Sequence, residues 1–350
     1  MKTPSSLRGR GSANNPKNRF EKVERVPEPL DADETSSPAT IFLPDSSKSI
    51  VAYNDSPDVG FDASFNPYRG CEHGCIYCYA RPTHEYLGFS AGLDFETKIM
   101  VKADATQLLR RELSSPKWKP RVLAMSGVTD CYQPVEKKLE LTRRCLEVLL
   151  EFRNPVTIVT KNYLVTRDID ILSELARFQC AAVFISLTTL DEKLSGLMEP
   201  RASRPARRLA AISALSKAGI PVGYLQAPMI PGLTDSEAPA IAQAAAGAGA
   251  RYAGYVALRL PHAVKDLFED WLERNYPDKM NKILNRIRAI RGGNLNDPQF
   301  HSRMRGQGIF AEQMNGLFRV ACKKAGIHER SPELSTDHFR RPKEQLKLFA

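Results

Sequence analysis

A chain of 350 residues with 42% hydrophobic and 26% charged residues can bury a sizeable core, either as one α/β barrel or as two smaller domains. The polar start MKTPSSLRGRGS carries no apolar leader core and no apolar run is long enough to cross a bilayer, while seven cysteines, three of them within eight residues, do not suit a secreted disulfide framework. A cytoplasmic protein without a membrane partner is therefore expected, and the net charge of +10 suits equally an anionic partner such as nucleic acid and a merely basic enzyme.

Residues 1–48 are rich in Ser, Pro, Asn and charge and have no periodic apolar pattern, so they are expected to form a disordered polar arm. Its first part is basic (Arg8, Arg10, Lys17, Arg19) and its second acidic (Glu28, Asp31, Asp33, Glu34). From about residue 60, short β-branched or aromatic runs alternate with amphipathic stretches. Strands are predicted at 63–66, 121–126, 156–160, 181–187, 222–227 and 252–258. Helices are predicted at 105–114, 136–152, 167–178, 205–218 and 236–248. Strand and helix in alternation imply a parallel sheet, as a partial (β/α)6 barrel of the TIM type or a doubly wound sheet. In both, chemistry gathers at the C-terminal ends of the strands. The expected domains are the arm, a partial barrel over 49–260, and a helical C-terminal extension over 261–350 with a helix near 309–325.

Directly after the first predicted strand, the run FNPYRGCEHGCIYCYARP sets Cys71, Cys75 and Cys78 in a C-x3-C-x2-C spacing. Three thiolates on one tight loop can each hold a different iron of a [4Fe–4S] cubane, and with no fourth cysteine nearby one iron stays open. Gly70 and Gly74 allow the backbone to turn closely around such a group. The alternative is a zinc site, for which His73 or His84 would have to supply the fourth ligand.

This loop, with Tyr77 just before its third cysteine, resembles that of the radical S-adenosylmethionine (SAM) superfamily. The longer run NPYRGCEHGCIYCYARPTHEYLG is similar to the subgroup related to spore photoproduct lyase, the DNA repair photolyase-like proteins. SGVTDCYQPVE, TKNYLVTRDIDIL, ISLTTLDEKLSGLMEPR and APMIPGLTD extend the likeness over roughly residues 60–260. The resemblance implies a [4Fe–4S] cluster on Cys71, Cys75 and Cys78, SAM chelated to the open iron, and a reductant such as flavodoxin or ferredoxin. It further implies reductive cleavage of SAM to a 5′-deoxyadenosyl radical that abstracts hydrogen from substrate. A nucleic-acid lesion is the substrate suggested, and the alternative is a non-enzymatic iron–sulfur redox sensor or nucleic-acid-binding protein.

The same resemblance places SAM contacts at strand ends. Ser126, Gly127 and Asp130 fall where the superfamily binds the SAM amino group, although Asp130 also suits a helix cap. Ser186 and Thr188 fall at the ribose hydroxyls or merely in a turn. Lys161 and Arg201 face the SAM carboxylate or are surface charges. Cys131, beside Asp130, is a hydrogen donor to a product radical or a buried filler. His73, Arg81, His84, Glu85 and Tyr86 form either a self-bonded polar loop or a substrate-facing segment. Finally, Gln345, Leu346, Leu348 and Phe349 near the C-terminus resemble the peptide with which bacterial repair proteins dock on the sliding clamp, or else they cap the protein's own core.

Overall fold

The computed structural model describes residues 7–21 and 38–342. Ten strands occur there: β1 (Ile41–Pro44), β2 (Val51–Tyr53), β3 (Ala63–Phe65), β4 (Tyr68–Arg69), β5 (Lys98–Val101), β6 (Leu123–Met125), β7 (Val156–Thr160), β8 (Ala181–Ser186), β9 (Val222–Met229) and β10 (Tyr252–Ala257). The main sheet runs β10-β9-β8-β7-β6-β3-β2, with the first six of these parallel and β2 antiparallel at the edge. Parallel neighbours follow chain order without a reversal, which is the singly wound arrangement of a partial barrel and not a doubly wound sheet. Central β8 (AAVFIS) is buried at every position, as a strand covered on both faces must be. β1, β5 and β4 form a small separate sheet beside the cysteine loop.

The helices Ala105–Ser114, Leu141–Phe152, Ile169–Arg177, Pro205–Lys217 and Ala238–Ala248 connect the strands and bury one face each. The stretch predicted as one helix at 136–152 is two, Glu136–Leu139 and Leu141–Phe152, because Glu140 sits in the left-handed region at φ 51°. The C-terminal extension is helical, with Val264–Asn275, Pro277–Ile290 and Ile309–Ala325. Phe268, Trp271, Ile283 and Ile287 from its first two helices share an apolar cluster with Ile76 and Tyr77 of the cysteine loop, and the Trp271 indole donates to Leu197 O at 3.1 Å.

Two connections close the open barrel. At the C-terminal strand ends, the 292–308 segment crosses from β10 to the loop after β2, where Asp58 accepts from His301 N (2.6 Å) and from Arg303 Nε (2.5 Å). At the opposite pole, residues 327–341 run beneath the strand starts. His328 pairs with β10, Ser335 N donates to Gln179 O (2.9 Å) just before β8, and Arg340 N donates to Phe152 O (2.9 Å) just before β7.

The described part of the polar arm is docked. Ile41–Pro44 pairs in parallel with β5, and residues 10–21 lie against the cysteine loop, where a Cβ on Gly11 would fall 1.8 Å from Gly74 O. Low apolar content does not prevent ordering here because the arm's polar groups find buried partners. The segment with Gln345, Leu346, Leu348 and Phe349 lies outside the described residues.

Candidate cluster and cofactor site

The loop that leaves β3 carries three thiols into the interior, Cys71 and Cys75 buried and Cys78 half-buried. Burial pushes all three up, Cys75 to about 12, so without metal they are protonated and ligation must displace those protons. Gly70 and Gly74 both have positive φ, and a Cβ on Gly74 would meet the Glu96 carboxylate at 2.6 Å. No fourth ligand joins them. His84 Nε2 bonds Lys98 O at 2.9 Å, and burial lowers its ring pKa to about 4. His73 Nδ1 faces Asp130 at 3.3 Å and Nε2 faces Asn162 at 3.3 Å. Among the described residues no three His, Cys, Asp or Glu gather around one ion position. A cubane needs no such gathering, since its three thiolates reach three different irons, so the donor set fits a cluster with one open iron better than zinc.

Around the loop lies a buried scaffold in which Arg81 is joined by Glu96, Glu72 and Gln133, three residues the sequence did not single out. Arg81, fully buried, donates from Nε to Cys75 O (3.0 Å), from Nη1 to Ala91 O (3.2 Å) and Gly92 O (2.9 Å), and from Nη2 to Gly74 O (3.3 Å) and Glu96 (2.5 Å). Glu96, equally buried, also accepts from the backbone N–H of Gly11 (3.0 Å) and Ser12 (2.9 Å) in the arm. On the other flank, Glu72 accepts from Val135 N at 2.6 Å and pairs with Arg201 at 3.1 Å. Gln133 accepts from Glu72 N (2.9 Å) and donates to Gly70 O (3.2 Å). The carbonyls of Gly70, Gly74 and Cys75 in the tight loop thus each meet a fixed donor.

Strand ends converge on this loop. After β6, Ser126 adopts φ 79°, its hydroxyl accepts from Cys131 N (3.0 Å), and Gly127 O accepts from the hydroxyl of Tyr79 (2.6 Å). Asp130 is not a free acceptor: its carboxylate takes Thr160 Oγ1 (2.8 and 3.0 Å), Lys161 N (2.8 Å), Tyr132 N (2.9 Å) and His73. Burial raises its pKa, but the His73 charge and hydrogen bond together with these N–H donors win and hold it below the usual range. Asp130 therefore ties β6, β7 and the cysteine loop together.

After β8, Thr188 donates to Glu199 at 2.8 Å, Ser186 O accepts from Arg208 (3.0 Å), and Glu199 is hydrogen-bonded by Tyr77 and ion-paired with the fully buried Arg208. Although burial opposes ionisation, the charges of Arg208 and Lys161 and these hydrogen bonds hold Glu199 at about 2. Thr188 and Tyr77 are thus anchored by a carboxylate. Arg201 is spoken for by Glu72 and by Thr40 Oγ1 at 3.2 Å, so the surface salt-bridge alternative describes it, though the bridge is half-buried. Lys161 differs. Its ammonium stands 5.9 Å from the Tyr77 ring centre and within electrostatic reach of Cys75 and Cys78, with no carboxylate in ion-pair range among the described residues.

Cys131 is not at the mouth. It is fully buried in the main core among Tyr132, Cys145 and Leu146, and burial with the nearby Asp130 charge drives its thiol well above the usual range. The chain turns inward at this point, so the expected hydrogen donor is a core filler. Of the polar group around the cysteines, His73, Arg81, His84 and Glu85 are buried and bonded to other segments, at Asp130, Glu96, Lys98 O and Arg19 respectively, whereas Tyr86 is exposed.

Residues 65–245 match the family model described as the radical SAM superfamily. The chain belongs to that superfamily. Its cofactors are accordingly a [4Fe–4S] cluster and SAM, its chemistry is that of a radical enzyme, and such enzymes draw on a reductant. It is 35% identical over 248 residues to an uncharacterized protein of Mycobacterium tuberculosis, covering 70% of this chain and 72% of that one. A Methanocaldococcus jannaschii protein, also uncharacterized, is 28% identical over 221 residues, or 63% of this chain and 79% of that one. Among solved structures, a spore photoproduct lyase variant with bound AdoMet and dinucleoside spore photoproduct aligns at TM-score 0.57 and 15% identity, covering 82% of this chain and 80% of that one. At that identity the likeness is one of fold. No helix among the described residues is long and apolar enough to cross a membrane.

Proposed function

We propose that Cys71, Cys75 and Cys78 hold the cluster and that this radical enzyme acts on a lesion in nucleic acid. The observation that carries the ligand assignment is a three-thiol loop turned into the interior at the strand ends, with the carbonyls of Gly70, Gly74 and Cys75 held by side-chain donors and no fourth ligand in reach among the described residues. When bound, the cluster and SAM supply one-electron reductive cleavage to methionine and a 5′-deoxyadenosyl radical. Arg81 and Glu96 fix the thiol positions, and Glu72 and Gln133 fix the loop's other flank. Lys161, whose ammonium has no carboxylate within ion-pair distance among the described residues, supplies a cation for the SAM carboxylate. Thr188 and Tyr77, both held by Glu199, line the same region, and Ser126 and Gly127 offer backbone at the end of β6. The arm packs against the cysteine loop at Gly11 and Gly74, on the side where a carbon radical requires water to be kept out.

The nucleic-acid substrate is supported by the net charge of +10 and by the dinucleoside ligand of the lyase of like fold. Gln345, Leu346, Leu348 and Phe349 are proposed to dock on a sliding clamp, which would bring the enzyme to DNA. The test is anaerobic reconstitution, iron analysis and an assay for 5′-deoxyadenosine under dithionite. About four irons per chain and SAM cleavage are expected. Stoichiometric zinc, or a reduced-cluster paramagnetic spectrum that SAM leaves unchanged, refutes the proposal and leaves the sensor alternative.

A further inference from the structure

Beside the cysteine loop, two aromatic rings are held out in water by buried anchors. Phe20 is 56% exposed and Tyr86 73%, with ring centres 4.8 Å apart and tilted by 32°. They are not there by slackness. The buried Asn18 amide donates to Glu85 O and Phe89 O, both at 2.9 Å, and its carbonyl accepts from Phe20 N at 2.8 Å. Arg19 pairs with the buried Glu85 at 2.7 Å while its guanidinium lies 5.0 Å over the Phe20 ring. A rigid exposed ring pair stiffened by hydrogen bonds is costly unless something flat covers it.

The surroundings say what. His262, in the strained left-handed region at φ 52°, lies in the electrostatic field of Arg19 and Lys265. It also lines a cleft of about 450 Å³ with Lys265, Arg288, Asn294 and Asn296, and no carboxylate lines it. Four acids lie nearby: Glu85 paired with Arg19, Glu269 3.8 Å from Arg288, Asp297 accepting from the Ser302 hydroxyl, and Glu21, whose Oε1 would lie 3.3 Å from a Cβ on Gly88. Asn296 Oδ1 is buried without a hydrogen-bond partner, as is Nε of Arg259 near the same loop. Leu260, also in the cleft wall, belongs to the apolar cluster that includes Cys75 and Tyr77.

Cations, an orphaned amide acceptor and an aromatic pair beside the reaction centre match phosphates, base amino groups and base faces respectively. We infer that Phe20 and Tyr86, with His262, Lys265, Arg288 and Asn296, form a binding site for a single-stranded stretch of nucleic acid flanking the reacting nucleotide. One base stacks on the ring pair and the adjacent phosphates sit over the cleft. An exposed face on two rings requires an unstacked base, which selects a single strand over intact duplex. An acidic protein would satisfy the cations but leave the rings and Asn296 without partners. The inference rests on the nucleic-acid reading above and adds where the strand lies.

The experiment is fluorescence anisotropy of a labelled oligothymidylate of about 12 nucleotides with the reconstituted full-length protein, from about 50 to 200 mM salt. The double variant Phe20→Ala, Tyr86→Ala is expected to bind about tenfold more weakly or worse at fixed salt. The pair Phe20→Leu, Tyr86→Leu, which keeps apolar bulk, is expected to do the same. Lys265→Gln should lower the slope of log affinity against log salt by about 0.7, one phosphate contact. Arg177→Gln, an equal charge loss at an exposed i,i+3 pair elsewhere, should leave the slope alone. Binding of both aromatic variants within twofold of the unsubstituted protein, equal slopes for Lys265→Gln and Arg177→Gln, or tighter binding of duplex that ignores the aromatic changes would each overturn the site. 5′-Deoxyadenosine release by the unsubstituted protein is scored separately. Its absence alongside intact oligonucleotide binding overturns the reaction assignment and not this site.

Discussion

Arg81→Met removes the guanidinium at the centre of the cysteine loop while nearly keeping its volume. Four carbonyls, those of Gly74, Cys75, Ala91 and Gly92, lose a donor, and the buried Glu96 loses its partner at 2.5 Å, keeping the two arm N–H groups and the nearby Arg10 charge. Breaking one side of a buried pair costs about 3–5 kcal/mol because the remaining charge is stranded. With an unfolding entropy of about 2.1 cal/mol/K per residue over 350 residues, that corresponds to a fall in Tm of about 4–7 °C. The loss falls on the loop that presents the three thiols, so iron should leave the variant faster than the protein unfolds. The assay is iron retained after incubation with a chelator under anaerobic conditions, alongside a melting curve. Glu96→Gln should behave alike, since it strands Arg81. If Arg81→Met holds a full iron complement against chelator and melts within 1 °C of the unsubstituted protein (below the ~1.5 °C expected per kcal/mol), the loop is not held by this pair.

Cys71→Ala, Cys75→Ala and Cys78→Ala should each abolish the cluster absorbance, whereas Cys131→Ala and Cys322→Ala, both core positions, should retain iron and SAM cleavage with only a modest stability loss. Lys161→Met should weaken SAM binding by about tenfold, one lost charge-assisted contact, with iron content unchanged, as read by calorimetric titration. Gly11→Val should drive a side chain into Gly74 O, lift the arm, and make the 10–18 segment open to protease in the otherwise folded protein. Burial favours a neutral Asp45, but the hydrogen bond and charge of Lys102, with Ser47, overcome it and hold the carboxyl at about 2 against an ordinary 3.8. A depressed carboxyl stabilises the fold above its unfolded value and loses that contribution as pH falls toward 2. Asp45→Asn should therefore flatten unfolding free energy by about 2 kcal/mol between pH 4 and 2, measured by denaturant titration.

The six parallel strands were legible because each is a compact β-branched or aromatic run, and β7 at Val156–Thr160 coincides with its predicted bounds. β1, β2 and β5 were not, since three or four residues give no period and β1 finds its partner 57 residues later, Ile41 opposite Lys98. Glu140 turns left-handed where the sequence offers neither Gly nor Pro, so the break in the helix left no local mark. The thiol loop was readable because its spacing is local. Its supports were not: Glu96 meets Gly11 85 residues away, Glu199 meets Tyr77 across 122, and such pairs form only once the barrel has closed. The contacts of residues 7–21 were hidden for the opposite reason. The polar composition of this segment argued for solvent, yet Gly11, Ser12 and Asn18 are polar or bare in order to satisfy buried groups.

The belt of residues 327–341 under the strand starts has a bearing on how the molecule can be handled and tethered. It carries the chain across the pole away from the thiols and brings Arg341 to Ser115 O and Trp118 O, both at 3.0 Å, beside the start of β6. Whatever grips the chain at Arg341 therefore holds the molecule by the pole opposite the thiols. A surface-coupled or fluorescent label belongs at that end. The same label joined ahead of residue 7 would stand next to the Gly11–Gly74 contact and the cysteine loop. Pulling on the tail would load the strand-start hydrogen bonds of Arg340 and Ser335 before any bond near the thiols, so a tethered molecule can strain at one pole while the other keeps its geometry.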